Sequence, residues 1–210
     1  MKSISWAALA GALLLPRGSL PLNIFEPRYL AMTEAAMVGN RIIGMIQPRD
    51  ADGKSLHPAL ADVGCAGRII SYAETEDGRY LITLCGVARF RVDGERNVTT
   101  PFRQVTADYT PFAGDLFVPE QEPAIARARL TAALKPYLDG RKMQTDWRSI
   151  EEAPAELLIN ALTVLCPFKS NEKQALLEAP SVLERANMII ALIEMANAAA
   201  AQPGSGHPIN

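Results

Sequence analysis

The chain has 210 residues, of which 49% are hydrophobic and 21% charged, a globular composition that can bury a core without disulfides or a structural metal. Lysine plus arginine number 21 against 23 for aspartate plus glutamate, a net charge of -2. No basic field is present to hold a phosphate backbone, which argues against nucleic acid as a partner. No apolar run reaches the roughly 18 residues that cross a bilayer.

In chain order, Met1-Lys2-Ser3 and the apolar residues 4–15 read as a first buried strand ending at Pro16-Arg17-Gly18. A secretory signal over residues 1–15 is the alternative, but its small-residue cleavage site, Ala8-Leu9-Ala10, falls inside the apolar stretch. A helix starts at Glu26-Pro27, where proline is tolerated, and runs to Val38 before Gly39. Residues 41–47 form a strand closed by Pro48, and residues 49–62 a polar surface loop. Residues 64–74 and 79–84 flank Asp77-Gly78, a hairpin signal whose two central residues would both take positive φ. Residues 88–92 alternate, which sets Phe90 and Val92 on one face and Arg89 and Arg91 on the other. Asp93-Gly94 reads as a second turn, and residues 102–109 as a further strand.

Pro111, Gly114, Pro119 and Pro123 punctuate residues 110–124, after which the period changes to that of helices. Ala126, Leu130, Ala133, Leu134 and Tyr137 share one helical face, ended by Pro136 and Gly140. Residues 155–166 form a second helix stopped by Pro167, and residues 171–178 a third, capped by Ser170 or Asn171. Ser181 with Glu184 makes a capping box that opens a long amphipathic helix through Ile193. Strands first and helices second predict an α+β fold. The expected division is a β-rich part over residues 1–117, a helical part over 118–200 and a flexible tail over 201–210.

The search for chemistry is mostly negative. Cys65, Cys85 and Cys166 are too few and too scattered for a disulfide framework, and read as small buried residues in a reducing compartment. His57 falls in a loop and His207 in the tail, so no histidine triad or two-histidine metal site is expected. Gly53-Lys54-Ser55 lacks the upstream glycine of a phosphate loop, Pro48 standing in its place, and reads as a turn. Glu120, Glu122, Glu151 and Glu152 lie in a linker and at a helix entrance, where acidic residues are expected. No catalytic, cofactor-binding or metal-binding set emerges.

The most distinctive stretch is residues 20–32, which turns a strand into a helix. Glu26 sits at that helix's start, Arg28 is placed to pair with it or with a sheet carbonyl, and Leu22, Phe25, Tyr29 and Met32 are placed to lock the helix on the sheet.

The sequence resembles the substrate-binding N-terminal domain of the Lon protease, as found in small stand-alone Lon-domain proteins. Gly11 and residues 13–16 carry the resemblance, with PLNIFEPRY at residues 21–29, VGCAGRI at 63–69, DGRYLI at 77–82 and GVARF at 86–90. Residues 172–178 and Leu183-Glu184-Arg185 add to it. One departure is the first strand, where residues 4–10 carry Trp6 and no proline. The resemblance implies a six-stranded, PUA-like β pseudo-barrel with one short helix, followed by a helical bundle. It implies a non-catalytic module in protein quality control, since the chain is too short for ATPase and protease domains as well. The partner would be unfolded or tagged polypeptide, or another protein, and the setting the cytoplasm. Phe25, Arg28, Tyr29, Tyr72 and Tyr80 are the candidate contacts. An alternative is an RNA-binding barrel that uses Arg68, Arg79, Arg89, Arg91 and Arg103 as a basic stripe beside aromatic rings.

Overall fold

Two periods divide the chain, and a computed structural model shows what each builds. It describes residues 2–7, 12–49 and 58–201. Gly11, Ala8-Leu9-Ala10, Gly53-Lys54-Ser55, His57 and the tail with His207 lie outside these residues. Two units form: Met1–Glu120 with Thr163–Glu178, and Gln121–Leu162 with Ala179–Asn210.

The first unit holds β1 (Lys2–Ala7), β2 (Ser19–Ile24), α1 (Pro27–Val38), β3 (Ile42–Met45), β4 (Val63–Glu74), β5 (Tyr80–Arg96) and β6 (Gln104–Asp108). The strand order is β2-β5-β4-β3-β1-β6, and β5 also pairs with β6. Five strands therefore close into a ring, and β2 is left outside on β5. The long β5 makes this possible. Its first part pairs with β2 and β4, and its last part, from Arg91, pairs with β6. β1 closes the ring, parallel to β3 and antiparallel to β6. The first strand ends at Ala7 rather than at Pro16, and residues 12–15 carry no strand pairing. Leu13, Leu14 and Leu15 are nevertheless buried. Gly86 explains how they pass so close to β5: a Cβ there would stand 1.9 Å from the Leu15 carbonyl oxygen, and only glycine permits that approach.

Three local expectations change. The Asp77-Gly78 hairpin forms, but only Gly78 takes positive φ, at 78°. The loop is longer than two residues, with Thr75 N donating to Arg79 O at 2.9 Å, which suits a turn closed by one left-handed glycine. Asp93-Gly94 does not turn the chain. It lies inside β5 at a register shift between Val92 and Glu95, so the pair forms a bulge, with Gly94 at φ 129°. Residues 110–116, assigned to a linker, wind into a 3-10 helix (Thr110–Leu116).

α5 (Ser170–Glu178) belongs to this first unit. Glu172 reaches back to accept from Lys169 N at 2.7 Å, which makes Lys169 the capped position. Core packing gathers Leu13–Leu15, Ile24, Tyr29, Met32, Ile82, Leu84 and Leu177 in one cluster. A second cluster joins Ile4, Trp6, Ile46, Phe90 and Val105.

The second unit contains α2 (Arg127–Asp139), α3 (Trp147–Glu152), α4 (Ala155–Leu165) as far as Leu162, and α6 (Val182–Ala201). α2 runs past Pro136 to Asp139 instead of ending there. The sequence reading passed over α3, whose start is fixed by Asp146 accepting from Arg148 N at 3.1 Å. Arg129 pairs with Glu194 at 2.7 Å and Asn197 donates to Ala133 O at 2.9 Å, tying α2 to α6. The buried Arg185 donates to Asn160 Oδ1 at 3.1 Å. Glu184 N donates to Ser181 Oγ at 3.1 Å, the forward half of the expected capping box.

Candidate polypeptide-binding surface

Beyond the ring, β2, β5 and the end of β4 form a three-stranded arm. Its rows follow from the register: Leu22, Ile82 and Tyr72 lie side by side, then Asn23, Leu81 and Ala73, then Ile24, Tyr80 and Glu74. Side chains alternate across a strand, so the first and third rows share a face. That face packs under α1, where Leu22, Ile24, Ile82 and Tyr80 meet Tyr29 and Met32. Tyr80 Oη donates to Glu34 Oε1 at 2.9 Å. That hydrogen bond, with a second to Tyr72, pushes the Tyr80 phenol above its usual range.

The second row lies on the opposite face, where Leu81 is 47% exposed; Phe25, just past the end of β2, is 63% exposed and Ile70 60%. Ile70 stands out because the β4 register shifts between Ile69 and Ser71, leaving it as the extra residue of a bulge. Among the described residues β2 pairs only with β5. Its other edge is interrupted by Pro21, and a proline in an edge strand supplies no donor to an incoming strand.

The predicted contacts thus separate. Phe25 and Tyr72 reach solvent, and the Tyr72 ring packs against Tyr80 at 5.1 Å, tilted by 50°. Tyr80 is half-buried and held by Glu34. Tyr29 is only 6% exposed and belongs to the core, so it supports the corner without presenting a surface. Arg28 is exposed, pairs with Glu26 at 2.8 Å and lies 4.7 Å over the Tyr29 ring. Sequence reasoning missed Leu81 and Ile70. Leu81 is the outward residue of an alternating strand, a signal that was present, whereas the bulge that exposes Ile70 has no local signature.

The arginines are dispersed rather than aligned. Arg89, expected on an outer face, is 5% exposed. The 3-10 helix brings Asp115 over it. Arg89 Nε donates to Asp115 Oδ2 at 2.8 Å, Nη2 to Oδ1 at 2.8 Å and Nη1 to Leu177 O at 3.1 Å. Burial opposes the Asp115 charge, but the hydrogen bonds from Arg89 outweigh it and hold the carboxyl below its ordinary range. Arg79 pairs with Asp77, and Arg103 pairs with Glu95 while lying 4.6 Å over the Trp6 ring. Arg91 faces Asp108 across β5 and β6, and Arg68 donates to Asn40 O at 3.3 Å.

Among the described residues no group of three or more His, Cys, Asp or Glu is placed to hold a metal. No helix among them is long and apolar enough to cross a membrane.

Comparison with known proteins gives a consistent placement. The fold resembles the crystal structure of a Lon N-terminal domain protein from Xanthomonas campestris, with a TM-score of 0.64, 20% identity, and coverage of 91% of this chain and 98% of that one. It also resembles the N-terminal domain of Mycobacterium avium complex Lon protease, at a TM-score of 0.60, 17% identity and coverage of 91% and 98%. A Lon protease from Desulfosudis oleivorans is 27% identical over 85 residues, 40% of this chain and 10% of that protein, so the matched segment is a small part of its length. The family described as the ATP-dependent protease La (LON) substrate-binding domain matches residues 7–195, and the chain belongs to that family.

Proposed function

We propose that this protein is a non-catalytic binding module for unfolded or tagged polypeptide, or for a protein partner, working in protein quality control in the cytoplasm. The outer face of the arm is the contact surface. The observation that carries this reading is the group of Phe25, Ile70 and Leu81, three large apolar side chains left exposed on a scaffold braced from behind by α1. Large apolar side chains left exposed on a rigid scaffold can serve as anchors for another chain. Because Pro21 spoils the strand edge, recognition runs through side chains on the face more than through an added strand. The match to a substrate-binding domain family supports the same reading.

Binding of the purified protein to a fluorescent unfolded protein and to single-stranded RNA, each at low and high salt, tests it. Saturable, salt-tolerant binding of the unfolded chain is expected. Phe25→Asp with Leu81→Asp is expected to weaken it by about tenfold or more, since each apolar anchor contributes about 1.5–3 kcal/mol. Binding of RNA alone, lost at high salt, overturns the proposal, as does undiminished binding by the double variant.

A further inference from the structure

A second feature lies in the first unit, on the ring itself. The core cluster of Ile4, Trp6, Phe90 and Val105 comes from β1, β5 and β6 and fills the ring from within. At Ala66, Ala88 and Ala107 the buried positions of the ring carry only methyl groups. There the filling stops, and a cleft of about 600 Å³ opens over these alanines, with Ile42, Val87 and Leu116 among its walls. Ile42 and Val87 are half-buried and Leu116 is exposed, so apolar surface is within reach of a ligand. Val87 stands there because the β4–β5 register passes from Ala66–Ala88 to Gly67–Gly86 and leaves it as the extra residue of a bulge. The volume is that of a small-molecule site. Phe25, Ile70 and Leu81 of the arm take no part in it.

The charged groups of the cleft are Arg68 and Asp108, and they are not equivalent. Asp108 Oδ1 accepts from Thr110 N at 2.9 Å, and Asp108 faces Arg91 across β5 and β6. The hydrogen bonds from Thr110, then the Arg91 charge, hold the Asp108 carboxyl below its ordinary range, so that charge is already met within the fold. Arg68 is exposed and has no ion pair among the described residues. Its Nη1 donates to Asn40 O at 3.3 Å, just past the end of α1. That contact leaves Nε and Nη2 unused on a guanidinium at the cleft, the same fork that Arg89 gives to Asp115. A fork of two parallel N–H donors matches a carboxylate. The Tyr109 hydroxyl, also on the wall, is a further donor with no hydrogen-bond partner among the described residues.

We propose that the cleft binds a small monocarboxylate with an apolar body: the carboxylate takes the Nε–Nη2 fork of Arg68, and the body lies between Ile42, Val87 and Leu116 over the alanine floor. This chemistry belongs both to a free organic acid and to the last residue of a polypeptide with an apolar side chain. The site is separate from the arm, and its assignment does not rest on the polypeptide-binding reading.

Titration of the 15N-labelled protein with 3-phenylpropanoate and with its uncharged amide, 3-phenylpropanamide, tests the cleft. Saturable shifts of the Ala66, Ala88 and Tyr109 backbone amides are expected with the acid, and binding of the amide about tenfold weaker or more. Arg68→Gln, at an exposed position, is expected to abolish that preference and to leave the affinity for the amide unchanged. No shift with the acid, equal binding of the two compounds, a preference that survives Arg68→Gln, or shifts confined to Ile70 and Leu81 each overturns the inference. Nα-acetyl-leucyl-leucine and its C-terminal amide separate the two sources. A preference for the peptide acid that is lost in Arg68→Gln assigns the cleft to chain ends; 3-phenylpropanoate bound without such a preference assigns it to a free acid.

Discussion

Asp115 sets a carboxylate against the buried Arg89: Arg89 gives it both Nε and Nη2, and Arg89 N adds a backbone bond at 3.0 Å. Asp115→Asn removes this carboxylate's charge from the buried pair, and the expected loss is about 3–5 kcal/mol in urea unfolding. The pH dependence follows from the lowered carboxyl pKa. A carboxyl with a folded pKa below its unfolded one stabilises fully above the unfolded value, about pH 4. That contribution is lost as pH falls further, through the folded value. Acid unfolding of the wild type is therefore expected to be steeper below about pH 4 than that of Asp115→Asn; parallel profiles would rule out the carboxylate's role. Arg89 also shows the reach of sequence reading. Alternation places it outside, and it would be outside on an isolated strand. The inversion comes from Asp115, 26 positions along the chain, which no local pattern signals.

At the scale of elements, the signals that were legible are those whose physics is local. α1 follows from Pro27, and α6 from Ser181 and Glu184. Ser181→Ala is expected to lower stability by about 1 kcal/mol, read as a shift in the urea midpoint with an unchanged slope. Restoration by Ser181→Asp would confirm that the side-chain acceptor is what matters. The illegible elements depend on distant partners. Asp93-Gly94 has turn composition, but β6 pairs on both sides of it and converts the turn into a bulge. α3 spans only Trp147–Glu152 and is too short for a periodicity to register. At the candidate surface, Phe25 of the PLNIFEPRY segment is exposed, while Tyr29 of the same segment is buried because α1 settles over Ile82 and Tyr80.

For the whole molecule, ring closure is the decisive feature, and β1 makes it. Ile4 and Trp6 are buried, and β1 bridges β3 to β6. Loss of residues 1–15 would remove this strand together with Leu13–Leu15. Such a truncated chain would carry two further unpaired strand edges, on β3 and β6. It is expected to lose cooperative unfolding and to aggregate on concentration, as followed by circular dichroism and light scattering. A truncated chain that melts like the wild type would show that closure contributes little, and would reopen the reading of residues 1–15 as a removable leader.

Pro21 has a bearing on behaviour at high concentration. The same arm that displays Phe25 and Leu81 also ends in an outer strand, and an open strand edge can template the pairing of a second copy. With one rung of that strand unable to donate, pairing of a neighbouring molecule along it is weakened. The apolar side chains displayed on the arm are thereby separated from self-polymerisation through its edge.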